Sequence, residues 1–350
     1  MIRSAAEQSW PPFVLVMGLL MVGVVANADG LFAAAGRGLD RLPGGGPALL
    51  AACMGIVAVV TAVLNLDTAV VFMTPVLVLA ARHRGMDEEP FLYASVFMAN
   101  ASSLFLPGSN LTNLLVLQRD PISGGEFART LFLPAAAATL ATAVGLVLIF
   151  RSRLAGARSA HPPGPERGPR LSVVAVAAVA LLTVVLHEPA LPVLGVGLVT
   201  AAVAIATGRV GARAVVAALG LKTLAALFLA SVALGTLARA WDAPGRLVAH
   251  AGRWQTAAVG AVTSVLLNNL PAAALLSAQE LPHPRALLMG LNIGPNLAVT
   301  GSLSAVLWFR AARQVGADPS AASFSRRGVL LAPLALAVAL GTAALANGAP

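Results

Sequence analysis

In Ala58–Pro75, AVVTAVLNLDTAVVFMTP, an apolar run stops at Asn65-Leu66-Asp67 and then resumes. A matching stretch, Val262–Ser277, reads VTSVLLNNLPAAALLS and is interrupted at Asn268-Asn269-Leu270-Pro271. One further break follows each of these in order. The first is Pro107-Gly108-Ser109-Asn110, inside segment 90–118; the second runs from Gly294-Pro295 to Gly301-Ser302. In hydrocarbon every backbone N–H and C=O needs a partner, so non-helical backbone survives only where protein or a polar cavity covers it. Two breaks per half, in the same order, predict a midplane site between discontinuous helices.

The composition around these breaks requires a membrane. The 350 residues are 58% apolar and 11% charged, with a mean hydropathy of +0.85, whereas a soluble globule carries about 25% charged residues. Apolar stretches occur near 12–28, 46–64, 90–106, 130–150, 171–186, 189–207, 223–238, 254–268 and 328–346. A spanning helix needs about 20 such residues, and about 17 at the least. Pro12–Ala28 lacks a small-residue cleavage site with a soluble domain behind it, so it reads as a first membrane helix. The single cysteine, Cys53, excludes intramolecular disulfides, CxxC redox chemistry and Cys-rich zinc sites. HExxH, Walker A and GxSxG motifs are all missing, so neither an enzyme nor a cofactor is expected.

The two halves keep one order of features over about 100 residues, the mark of an internal repeat. Residues 1–150 form the first membrane repeat, 151–170 a basic linker, and 171–350 the second repeat. Segments 171–186 and 189–207 have no counterpart ahead of residue 12, so the first repeat lacks two leading helices. Positive charge gathers on cytoplasmic loops. With each Asn-rich break as the tip of a re-entrant hairpin and the linker inside, sixteen of the 23 basic residues face the cytoplasm and seven face out. Hairpins that spanned instead would put Arg82 and Arg84 opposite Arg37 and Arg41. The expected fold is therefore an all-α polytopic membrane protein of two inverted repeats, each with a re-entrant hairpin and a broken helix. Both termini lie outside. The net charge of +9 is topological and marks no nucleic-acid surface.

Asp67 is the one acid set deep within an apolar segment. A charge at that depth costs several kcal/mol unless hydrated, paired or protonated, and low-dielectric surroundings favour the neutral form of a carboxyl group, which suits a proton carrier. Asp67 is thus the candidate proton or cation carrier, the alternative being an N-cap for a half-helix Thr68–Arg82. Ser109, Asn110, Thr112 and Asn113 supply donors and acceptors where a half-helix restarts, a place suited to an anion or a polarised oxygen. Asn65, Asn268 and Asn269 sit at the hairpin tips, Asn292 and Asn296 flank the second break, and Ser302 echoes Ser109. These are candidate substrate ligands, with helix-to-helix amide bonding as the competing role.

Taken in order, Asn65-Leu66-Asp67-Thr68, Ser109-Asn110-Leu111-Thr112-Asn113, Leu267-Asn268-Asn269-Leu270-Pro271 and Gly294-Pro295…Gly301-Ser302-Leu303 resemble the arsenite permease family, membrane subunits of arsenical pumps in the wider ion-transporter superfamily. The resemblance covers about residues 12–346. It implies inverted repeats, an elevator-like movement and a multi-pass protein of a prokaryotic plasma membrane. It also implies proton-coupled efflux of arsenite or antimonite. With one cysteine the substrate would be the neutral hydroxide, held by hydroxyls and amides. Sodium/proton antiport or sodium-coupled small-anion transport, as in related families, is the alternative. The chain departs from the family in placing Leu66 between Asn65 and Asp67, and in holding Asn100, Asn292 and Asn296 where charged residues are frequent. The expected partners are the lipid bilayer, a small inorganic substrate and H+ or Na+. A soluble ATPase subunit and a second copy of the chain are the candidate protein partners, and the sequence marks a docking surface for neither.

Overall fold

The computed structural model describes residues 2–118, 122–154, 170–241, 243–278 and 281–346. Most of the basic linker therefore lies outside the described residues. The first half runs α1 (Ile2–Ala28), α2 (Leu31–Asp40), α3 (Gly46–Val63), α4 (Leu66–His83), α5 (Glu89–Ser102), α6 (Leu111–Leu117) and α7 (Gly124–Phe150). The second runs α8 (Arg170–Val185), α9 (Ala190–Ala206), α10 (Ala212–Leu219), α11 (Leu221–Ala240), α12 (Ala243–Ala249), α13 (Arg253–Leu267), α14 (Asn269–Leu276), α15 (Pro284–Ile293), α16 (Leu303–Gln314) and α17 (Ala321–Ala346). Among the described residues there is no strand. From α11 to α17 the helices follow the same order as α1 to α7, with α8, α9 and α10 between the two sets.

Among the described residues six helices are long and apolar enough to cross a membrane, and α8 and α9 are shorter apolar helices. The chain is a multi-pass membrane protein. Helix α1 begins ten residues before the expected Pro12, with Pro11 and Pro12 inside it. A proline costs a helix one N–H bond, a loss that membrane helices tolerate when neighbours re-satisfy the freed groups.

Both ends of the α3–α4 hairpin lie on one face. At its start Gly46 packs so closely on the end of α7 that a Cβ there would stand 2.1 Å from the Leu154 carbonyl oxygen. At its finish the buried Arg84 donates from Nη2 to the carbonyls of Leu39, Asp40 and Leu42 at 2.6, 3.0 and 2.7 Å. A guanidinium is suited to this, because it satisfies the orphan carbonyls that close α2. The same face carries Arg82 on the Val315 carbonyl, Arg153 paired with Asp87 and Glu89, and Arg327 paired with Glu89. These are the positions that the charge count assigned to the cytoplasm.

The second hairpin, α13–α14, leaves on the opposite face. Near its end Gly235 of α11 lies beside both Ala274 and Ala5, at the start of α1. Helix α1 has 27 residues, about 40 Å of rise, and α2 continues alongside α4 with Phe32 stacked on Phe72 at 5.0 Å. The hairpins thus enter from opposite faces and their tips approach each other in the interior.

Candidate functional site

Each hairpin tip is fastened to the break in its own half by one hydroxyl. Ser109 Oγ donates to the Ala62 carbonyl at 3.0 Å, and Thr300 Oγ1 donates to the Val265 carbonyl at 2.8 Å. Ala62 and Val265 each stand three residues before the Asn that turns the tip, Asn65 or Asn268. The two restarting helices match as well. Asn110 and Ser302 precede α6 and α16 with nearly the same extended backbone, φ −150 ψ 135 and φ −152 ψ 156. This register corrects the one read from sequence by one residue: Ser302 corresponds to Asn110, and the hydroxyl that matches Ser109 comes from Thr300.

Asparagine side chains build three of the four helix starts. Asn65 Oδ1 accepts from the Thr68 N–H at 2.7 Å, Asn110 Oδ1 from the Thr112 N–H at 3.1 Å, and Asn268 Oδ1 from the Leu270 N–H at 3.4 Å. The N-cap of α4 is therefore Asn65, not Asp67. An Asx cap satisfies one of the orphan donors that open a helix. With that work done by Asn65, the Asp67 carboxylate is left in the first turn with no hydrogen bond or ion pair among the described residues. Asn268 carries φ 77 and ψ 146, and it is the only non-glycine with positive φ among the described residues. Such backbone costs about 1–3 kcal/mol and gathers at functional sites.

A cavity of about 30 Å³ lies where the tips meet. Its polar wall comes from Asp67, Asn110, Asn268, Asn269, Ser302 and Ser304, and its apolar wall from Val16, Leu66, Leu111, Leu224, Leu227, Leu270 and Leu303. Asp67 is the one charged residue in this wall. The starts of α4, α14 and α16 all open on it, and unpaired N–H groups at helix starts give each a partial positive charge. Ser304, paired with Ser302 through their hydroxyls, is a wall residue that sequence reasoning passed over. Its signal was its place two residues into the restarting helix.

The remaining candidates sit in a buried amide network behind this wall. Asn292 Oδ1 accepts from Asn110 Nδ2 at 2.8 Å and from Ser103 Oγ at 2.5 Å, while its Nδ2 donates to Asn113 Oδ1 at 2.7 Å and to the Leu288 carbonyl at 2.8 Å. Asn100 Nδ2 donates to Asn296 Oδ1 at 2.8 Å, and Asn296 Nδ2 to the Phe97 carbonyl at 3.1 Å. Asn113 and Asn292 are thus joined to the cavity through Asn110, whereas Asn296 pairs with Asn100 and the Phe97 carbonyl. Thr112 is buried in α6, and its hydroxyl has no hydrogen-bond partner among the described residues. Asn65 Nδ2, Asn100 Oδ1, Thr61 Oγ1 and Thr68 Oγ1 are likewise buried and unpaired.

Helical hairpins meeting at broken helices around a small interior cavity with one polar wall fit the design of a secondary transporter. Residues 2–294 match the CitMHS citrate transporter family, and the chain belongs to that family. It is 30% identical over 122 residues to the uncharacterized transporter YfbS of Escherichia coli K12, a match spanning 34% of this chain and a fifth of that protein's length. Its fold is similar to that of the Alcanivorax borkumensis YdaH transporter, whose crystal structure shows an unusual topology. The TM-score is 0.60 at 15% identity, over 99% of this chain and 87% of the other. The chain is thus a multi-pass membrane protein of a transporter family.

Proposed function

We propose that the protein carries a small carboxylate anion across the membrane, coupled to a cation taken up at Asp67. The observation that supports this most directly is the cavity wall. The starts of α4, α14 and α16 open on a space whose one charged side chain is an unpaired carboxylate. Helix starts favour an anion, and a second negative charge beside Asp67 is accommodated once a proton or Na+ neutralises it. Anion and cation would then bind together, which is the requirement of coupling. Membership of a citrate transporter family makes citrate the first substrate to test. Asn110, Asn268, Asn269 and Ser302 are its proposed polar contacts.

A second reading, exchange of arsenite or antimonite for protons, is favoured by the size of the cavity and by a wall without Lys, Arg or His. Those features suit a small neutral hydroxide held by amides and hydroxyls.

Purified protein in proteoliposomes decides between these readings. Radiolabelled citrate uptake, driven by an inward proton or sodium gradient and lost in Asp67→Asn while citrate exchange persists, is the expected result. Gradient-driven arsenite movement without citrate movement would replace the first reading by the second. Movement of neither by folded protein would refute both.

A further inference from the structure

The amide of Asn110 has both of its ends assigned. Its Oδ1 caps the Thr112 N–H, and its Nδ2 is held by Asn292 Oδ1 across 182 positions of sequence. An asparagine amide can rotate by half a turn about its last bond and exchange a donor for an acceptor with little change of shape. Here the exchange would set the Asn110 NH2 against the Thr112 N–H and its oxygen against another oxygen. Asn292 cannot rotate to follow it, because Ser103, Asn113 and the Leu288 carbonyl use its remaining hydrogen-bonding positions. Asn113 is fixed in turn by the bond from its Nδ2 to the Ser103 carbonyl at 2.7 Å. Asn292, Ser103 and Asn113 are each fully buried.

We infer that Asn292 is a positioning residue that sets which face of the Asn110 amide the cavity meets. It touches no substrate. It is buried behind the wall, and its four hydrogen bonds all go to protein groups. Asn113, after the break, and the Leu288 carbonyl hold Asn292 in one orientation by accepting from its Nδ2. Ser103, on the last turn of the broken helix, shares its one hydroxyl proton between Asn292 Oδ1 and the Asn100 carbonyl. Asn110 thereby offers the substrate one remaining N–H and one remaining lone pair in a fixed arrangement. Pre-organisation of this kind shows in the affinity of the site, since the bound orientation need not be selected anew at each binding event. The inference rests on Asn110 contacting the substrate.

Asn292→Asp is the test, because it keeps shape and volume while making the donor side titratable. Protonated, the carboxyl accepts from Ser103 and Asn110 and donates one bond. Ionised, it donates none and leaves Asn113 Oδ1 and the Leu288 carbonyl facing a buried charge. Citrate KM and Vmax are measured in proteoliposomes at about pH 5.5 and about pH 8, with each KM ratio divided by the wild-type ratio to remove the titration of citrate itself. Arsenite serves as the probe if wild-type vesicles carry it instead. Asn292→Asp is expected to raise the corrected KM about tenfold at the higher pH, and the rise is expected to vanish when Asn110→Ala is added. A rise that persists at full size without the Asn110 amide, or no rise in the single variant, overturns the inference while leaving the substrate site intact. An unchanged KM in Asn110→Ala alone removes Asn110 from the substrate site and the inference with it. Should Asn292→Asp fail to fold, Ser103→Ala, which removes one of the bonds holding Asn292, is expected to raise KM only when Asn110 is present; equal effects in both backgrounds overturn the inference.

Discussion

The Thr300 hydroxyl ties the second hairpin to its broken helix through the Val265 carbonyl, 2.8 Å away. Its counterpart joins Ser109 to Ala62 at 3.0 Å. One such bond contributes about 1 kcal/mol. Thr300→Val and Ser109→Ala are each expected to lower the melting temperature of purified protein by a few degrees, about 2–4 °C per kcal/mol in a chain of ordinary size. The two losses should add, because the tips belong to separate hairpins. A double variant no less stable than the worse single one would contradict independent fastening.

Asn268 holds positive φ at the second tip, a conformation that glycine adopts freely. Asn268→Gly is expected to preserve stability or raise it by up to about 1 kcal/mol, since strain is relieved as a long cap bond is lost. Apparent substrate affinity should fall at the same time. Isothermal denaturation and a transport KM separate the two effects. Lower stability with unchanged KM would show that the residue is kept for its cap alone.

Glu89 receives both Arg153 and Arg327, and Arg327 lies over the rings of Tyr93 and Phe150 at 4.2 and 4.7 Å. Arg327 is buried, whereas Glu89 is partly open to solvent. Removing one member of a buried pair strands the other. Glu89→Gln is expected to cost about 2 kcal/mol, less than the 3–5 of a fully buried pair because of that exposure. Arg153→Gln, at an exposed position, should cost under about 1 kcal/mol. Equal losses would mean that Arg327 draws its stability from the aromatic rings.

Asp29 follows α1 and accepts from the Ser172 N–H at 3.0 Å, the Ser172 hydroxyl at 2.9 Å and Arg209 at 2.5 Å. Burial pushes its carboxyl upward, but the bonds from Ser172 and the charge of Arg209 outweigh it and hold the group below the ordinary carboxylate range. A carboxyl lowered on folding stabilises the protein above its unfolded value, near 3.9. That contribution is lost as the pH falls through the folded value. Asp29→Asn is expected to lower the melting temperature at neutral pH by about 2 °C or more, with the gap from wild type closing in acid. A gap independent of pH would assign the loss to shape alone.

The membrane class and the paired breaks were legible in the chain itself. Both depend on local composition: apolar runs of spanning length, and Pro, Gly and Asn where helices stop. Asp67 was legible for the same reason, because a lone acid between VVTAVLNL and TAVVFM has few roles. Which asparagines face the cavity was not. Asn110 and Asn292 are 182 residues apart, and both lie beside helix breaks with similar neighbours. Only the meeting of the two halves makes one a wall residue and the other its buried support. The cap of α4 was decided in the same way: Asn65 and Asp67 are both good caps by type, and the backbone at the tip presents Asn65 Oδ1 to the Thr68 N–H. Local chemistry limits what each side chain can bond, but the packing of distant segments selects the partner it finds, because a buried amide takes whichever groups the fold brings within about 3 Å.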